Sequence, residues 1–146
     1  MDYNSVKKII DKNKDIAEFA EFGEGVSDVW LQKAETRLRV KLPPSYVWWL
    51  KNYSGGEING EEIFSIYEMD FDSVVGGDIV YINELNRKNG ISNSEQLVIQ
   101  ENDMGETYYF KLDEVNEDGE CPVYLDITDA KYVDNFLEFI VKKIQE

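Results

Sequence analysis

Lys41-Leu42-Pro43-Pro44-Ser45-Tyr46-Val47-Trp48-Trp49-Leu50-Lys51-Asn52-Tyr53-Ser54-Gly55-Gly56 holds a helix start, an aromatic face and a helix stop within sixteen residues. Proline is tolerated in the first turn of a helix, where its missing N–H has no partner to lose, so Pro43-Pro44 opens the element. Tyr46, Trp49, Leu50 and Tyr53 then fall at i, i+3, i+4 and i+7, one face of a 3.6-residue helix. Gly55-Gly56 supplies the left-handed conformation that closes it. The spacing predicts a short core helix anchored by Trp49. Trp48 lies about 100° round the same helix, on the flank of the stripe. That is a core-edge position, and because Trp is frequent among the residues that dominate interfaces, Trp48 is also a candidate partner contact.

Upstream, Val6, Ile9, Ile10 and Ile16 give a first amphipathic helix, followed by the link Phe22-Gly23-Glu24-Gly25. Ser27 is a natural N-cap, since its hydroxyl accepts from an orphan N–H, and Trp30, Leu31, Ala34 and Leu38 form the stripe of a second helix. Downstream, Glu57-Ile58 and Glu62 to Tyr67 read as strands joined by Asn59-Gly60, a hairpin signal. A helix is predicted from Asp78 to Lys88, stopped by Asn89-Gly90. Leu97 to Ile99, Thr107 to Leu112 and Pro122 to Ile127 read as strands, the first two joined by a turn over Asn102 to Gly105. Val133, Phe136, Leu137, Ile140 and Ile144 mark a last helix, with Lys142 and Lys143 placed favourably against its dipole. Helices, then hairpin-linked strands, then a helix predict an α+β fold: an antiparallel β-sheet packed by N-terminal helices and a C-terminal helix. With 146 residues and no repeat or long linker, residues 1–146 are expected to form one domain. At that size about 70% of the unfolded surface can be buried without a disulfide or metal staple.

The charge balance is acidic: 30 Asp+Glu against 15 Lys+Arg, a net charge of −15. The acids are spread through segments rich in Tyr, Ile, Val and Trp, so they coat a folded surface instead of forming a tail. Such a surface repels nucleic acid and anionic membranes, and it attracts a basic protein and speeds the encounter. Solubility is the competing reason for an acidic coat. The N-terminus lacks the basic-then-apolar pattern of a signal peptide, and no apolar run approaches the roughly 18–20 residues a membrane span needs. A cytoplasmic location is expected.

No histidine is present, which removes Ser–His–Asp and Cys–His catalysis and the usual neutral-pH general base. Cys121, the single cysteine, precedes Pro122 in a strand-like run and reads as a buried, inert thiol. Gly76-Gly77-Asp78 lacks the lysine and spacing of a phosphate loop. Glu114-Val115-Asn116-Glu117-Asp118-Gly119 imitates the first half of a calcium loop, but its twelfth position is Leu125 where a bidentate glutamate is needed; it reads as an acidic turn. Glu101, Asp103 and Glu106 cluster in another turn, where a solvated surface is the simplest reading of carboxylates so abundant. No catalytic, metal or cofactor site is expected, and a carboxylate-based hydrolase is the least supported function.

The words of the central stretch carry more than its spacing does. Leu42, Pro43, Tyr46, Trp49-Leu50, Asn52 and Gly55-Gly56, preceded by Trp30, Leu31, Ala34, Glu35 and Leu38, resemble the SUKH superfamily and its Smi/Knr-like branch. Two departures are visible: Arg39 stands where the family often has glycine, and Tyr53-Ser54 lengthen the usual asparagine-glycine-glycine stop. The resemblance implies an α+β domain. In bacteria it implies an immunity protein (antitoxin) that binds and neutralises a toxin, often a nuclease, without turnover; in fungi, a regulatory or scaffold protein of cell-wall synthesis. Joined to the acidic coat, it points to a basic toxin as partner. Turns are surface features that often carry function, so the candidate partner contacts are Glu57, Glu61 and Glu62 after the glycine stop and Glu101, Asp103 and Glu106 in the later turn, beside Trp48. Whether the protein self-associates is left open by the sequence.

Overall fold

The computed structural model describes residues 1–146. Helix α1 (Tyr3–Lys12) is capped by the Asp2 carboxylate, which accepts from the Ser5 N–H at 2.7 Å. It stops at Lys12, so Ile16 does not extend it. The Asn13 amide folds back on the Ile9 carbonyl, and strand β1 (Ala17–Phe19) follows. This strand was not predicted. Three residues are too few for a period-2 signal to stand out.

Helix α2 (Asp28–Leu38) starts at Ser27, whose hydroxyl accepts from the Trp30 N–H as its sequence position predicts. Helix α3 (Pro44–Tyr53) opens on Pro43-Pro44 and buries Tyr46, Trp49, Leu50 and Tyr53. The predicted stripe is therefore the packed face, but the positive-φ residue that closes the helix is Ser54, φ 66°, and not Gly55-Gly56, of which Gly56 already opens the next strand. Strands β2 (Gly56–Ile58) and β3 (Glu61–Ile63) form the predicted hairpin. Asn59 and Gly60 have φ of 52° and 78°, the left-handed pair that a two-residue turn matching strand twist requires. The second strand is shorter than predicted. Phe64 leaves it to donate its N–H to the Ile99 carbonyl, and Ser65 bridges to Asp78 in the parallel sense.

Helix α4 (Ile79–Lys88) is capped by Asp78, which is fully buried. One Asp78 oxygen accepts from the N–H groups of Val80 and Tyr81, and the other accepts from that of Tyr67. These bonds and the helix N-terminus hold a carboxylate inside the core. Strands β4 (Gln96–Glu101), β5 (Thr107–Lys111), β6 (Val123–Leu125) and β7 (Ala130–Val133) form a second antiparallel sheet in that order. A one-turn 3₁₀ helix over Leu112–Glu114 takes the end of the predicted fourth strand. Strand β7 was not predicted, and it claims Val133. Helix α5 (Phe136–Gln145) begins only after Asn135, whose side chain accepts from the Glu138 N–H. Lys142 and Lys143 do sit in its last turn, with an added role: their ammonium groups lie 4.0 Å over the Tyr132 ring and 3.9 Å over the Tyr108 ring.

The first sheet runs β1-β2-β3, all antiparallel. A cluster of 32 buried residues joins both sheets to the helices. At its centre Tyr46 packs edge-on against Phe110 and Phe136, and its hydroxyl donates to the Phe64 carbonyl at 2.6 Å. Cys121 is buried as expected, and burial, then Glu120, pushes its thiol up to about 11. No helix is long and apolar enough to cross a membrane.

Candidate protein-binding surface

The alternation of a strand puts Glu18 of β1 on the face opposite Ala17 and Phe19. The registers Glu18↔Glu57 and Glu57↔Glu62 then set three carboxylates side by side across β1, β2 and β3. Like charges directly opposite one another destabilise a sheet, so this row is held by the rest of the fold. Its inner end has a specific support. The Tyr67 hydroxyl donates to Glu62 at 2.5 Å and accepts from the Gly77 N–H at 2.9 Å. Burial, then Glu62, pushes the Tyr67 phenol up to about 12, which keeps it a donor. At Gly77 a Cβ would lie 2.2 Å from the Glu62 carboxylate, so a side chain there would push Glu62 out of this position.

The later turn is built on Asn102. Its side-chain oxygen accepts from the N–H groups of Met104 and Glu106, and its amide donates to the Glu106 carboxylate at 2.8 Å. Asp103 and Met104 stand at the tip, Met104 being 82% exposed. Glu101 accepts from the buried Asn86 amide at 2.9 Å. The two acidic groups, far apart in sequence, meet through adjoining strands. Gln100, the neighbour of Glu101, is within 3.4 Å of the Glu61 carbonyl and donates to it. Of the predicted contacts, Glu57, Glu61, Glu62 and Glu106 are half-buried and Glu101 and Asp103 exposed. Trp48 is half-buried at the core edge, its ring stacked on Tyr3 with centroids 4.8 Å apart, on a different element from the acids. The sequence reading missed Glu18, because β1 was missed; the apolar-acid-aromatic alternation of Ala17-Glu18-Phe19 was the available signal.

No three acidic or cysteine side chains converge in a way that could hold a metal ion. The calcium-like segment is a turn organised by the Asn116 oxygen, which accepts from the N–H groups of Asp118 and Glu120.

The central motif has its own geometry. Glu35 reaches from α2 to accept the Leu42 N–H at 2.8 Å. Arg39 closes α2 in the left-handed conformation, φ 57° and ψ 42°. The Asn52 amide donates back to the Trp48 carbonyl. At Gly56 a Cβ would lie 2.3 Å from the Glu18 carbonyl, so the glycine stop lets β1 approach. A family model described as SMI1-KNR4 cell-wall, of the SUKH type, matches residues 28–140, from the first residue of α2 into α5. The chain belongs to this family. In this SUKH domain the matched span holds the Glu35 clasp, α3 and the whole second sheet, while α1 and β1, which carries Glu18, lie outside it.

Proposed function

We propose that residues 1–146 form a single SUKH domain that works as an immunity protein in the cytoplasm: it binds a cognate basic toxin of the nuclease type and neutralises it stoichiometrically, without turnover, metal or cofactor. The observation that carries this reading is the carboxylate row Glu18–Glu57–Glu62 on a folded sheet. A like-charged row is a cost in the free protein, and a cationic partner relieves it. Glu101, Asp103 and Glu106 extend the negative surface beyond the Gln100–Glu61 junction, and Trp48 gives a separate aromatic contact. The same surface opposes nucleic-acid phosphates and anionic lipid.

Family membership supports a protein partner in general. The cell-wall wording of the family description favours a second reading, a regulator or scaffold bound to a cellular protein. Co-expression with a toxin encoded beside this chain separates them. Immunity requires restored growth and a one-to-one complex. Growth arrest unchanged by this protein, with a stable native complex containing an unrelated cellular protein, would establish regulation instead.

A further inference from the structure

A cavity of about 440 Å³ opens between the end of α1, β1 and the end of α3, outside the acidic turns. Its walls are aromatic, from Phe19, Phe22 and Tyr53, and its charged lining is Asp11, Glu18 and Glu21 against Lys14. Tyr53 is 3% exposed, and its hydroxyl is buried without a hydrogen-bond partner. A buried hydroxyl left unpaired is costly, and this one belongs to a side chain that lines an open cavity. The Asp11 charge acts on that hydroxyl, which burial, then Asp11, holds up to about 12. The Phe22 ring already takes a cation on its face: the Lys7 ammonium lies 4.7 Å from its centroid while pairing with Asp11 at 2.8 Å. Glu18 belongs both to this lining and to the carboxylate row, so the edge strand β1 is shared between the cavity and the acidic face of the sheet.

We propose that this cavity receives an arginine side chain of the basic partner protein, its guanidinium stacked on the aromatic walls, paired with Glu18 and Glu21, and donating to the Tyr53 hydroxyl. The chemistry selects guanidinium. It is planar, stacks on aromatic rings, carries five donors and no acceptor, and sheds water more readily than an ammonium. The walls supply rings, carboxylates and one orphan acceptor, each of which it satisfies.

The proposal rests on the reading that the chain binds a basic protein, but its test needs no partner. The full chain is titrated with acetyl-Gly-Arg-Gly-amide and, separately, with the isosteric neutral peptide carrying citrulline, and amide chemical shifts are followed. Saturable shifts at Glu18, Phe22 and Tyr53 with the arginine peptide, and at least tenfold weaker binding of the citrulline peptide, are expected. Tyr53→Phe, which removes only the unpaired hydroxyl, and Glu18→Gln should each weaken the arginine peptide several-fold while the rest of the spectrum stays folded. Absence of saturable shifts at these residues, or equal binding of the citrulline peptide, overturns the pocket. Either result leaves the immunity reading standing, since growth rescue by co-expression tests that separately; conversely, failed rescue beside selective arginine binding removes the immunity reading and keeps the pocket.

Discussion

The Glu35 carboxylate accepts the Leu42 backbone N–H at 2.8 Å and so clasps the end of α2 to the entry of α3. Leu42 is buried at that turn, and its N–H has to be satisfied inside the protein. A hydrogen bond to a charged group contributes about 1.5–3 kcal/mol. Glu35→Ala should therefore lower stability by about that amount, and Glu35→Gln, which keeps an acceptor, by less. Chemical denaturation checks the order; equal midpoints for Glu35→Ala and the parent would remove the clasp from the account.

Arg39 occupies a left-handed position that non-glycine residues enter at a cost of about 1–2 kcal/mol. Glycine gives part of this back through its more flexible unfolded state. Arg39→Gly is expected to raise stability by about 0.5–1 kcal/mol, read as a higher midpoint at unchanged slope. A loss of stability would mean that the Arg39 side chain makes a contact that outweighs the backbone strain.

Trp49 is fully buried between Phe19, Tyr46 and Phe136, with ring centroids 5.4 to 6.0 Å away. Trp49→Ala is expected to cost about 3–5 kcal/mol. Its indole N–H has no hydrogen-bond partner, so Trp49→Phe, which removes that group, should cost much less. Thermal unfolding of both variants tests the pair, and a mild effect of alanine would contradict the central role of α3.

Cys121 links stability to alkaline pH. Burial, then the Glu120 charge, raises its thiol from 9.0 to about 11. Between these values the unfolded chain releases a proton that the folded chain keeps, so unfolding is favoured as pH rises. The contribution is fully present below pH 9 and lost as pH climbs to about 11. Denaturation midpoints across that window should fall more steeply for the parent than for Cys121→Ala. Parallel slopes would assign the alkaline loss to other groups, such as Tyr67.

Glu101→Lys with Asp103→Lys places two cations at an exposed turn whose frame comes from Asn102. Glu101→Lys also takes the acceptor from the buried Asn86 amide, so folding is verified first, and in the folded variant association with a cognate basic toxin should slow. Steering acts over a Debye length of about 8 Å at physiological ionic strength, so association should also slow as salt is added, with dissociation changing less. Stopped-flow kinetics on this variant, and on Glu57→Lys with Glu62→Lys, tests the acidic surface. Rates unaffected by both reversals and by salt would reduce the coat to a solubility device. In the second variant Tyr67 loses its acceptor, so folding has to be verified alongside.

Legibility followed the reach of the forces involved. The stripe of α3, the Ser27 cap and the Asn59-Gly60 turn were readable because each depends on residues within one or two turns of chain. The bounds failed where a long-range bond intervened: Phe64 is drawn out of β3 by the Ile99 carbonyl, and Val133 is taken into β7 by pairing with Val123. Asp78 looked like any helix-starting acid, and only the enclosing fold makes it a buried carboxylate joined to Tyr67.

By itself the sequence determined the α+β class, the aromatic helix with its proline start and the family, since period, turn chemistry and a local motif are written in consecutive residues. Tertiary structure alone decided that Glu18 stands beside Glu57 and Glu62, and that Tyr53 keeps an unpaired hydroxyl in the wall of an acid-lined cavity. Those relations join segments about forty residues apart, and the entropy of bringing them together is met by burying a shared core, which no single stretch encodes.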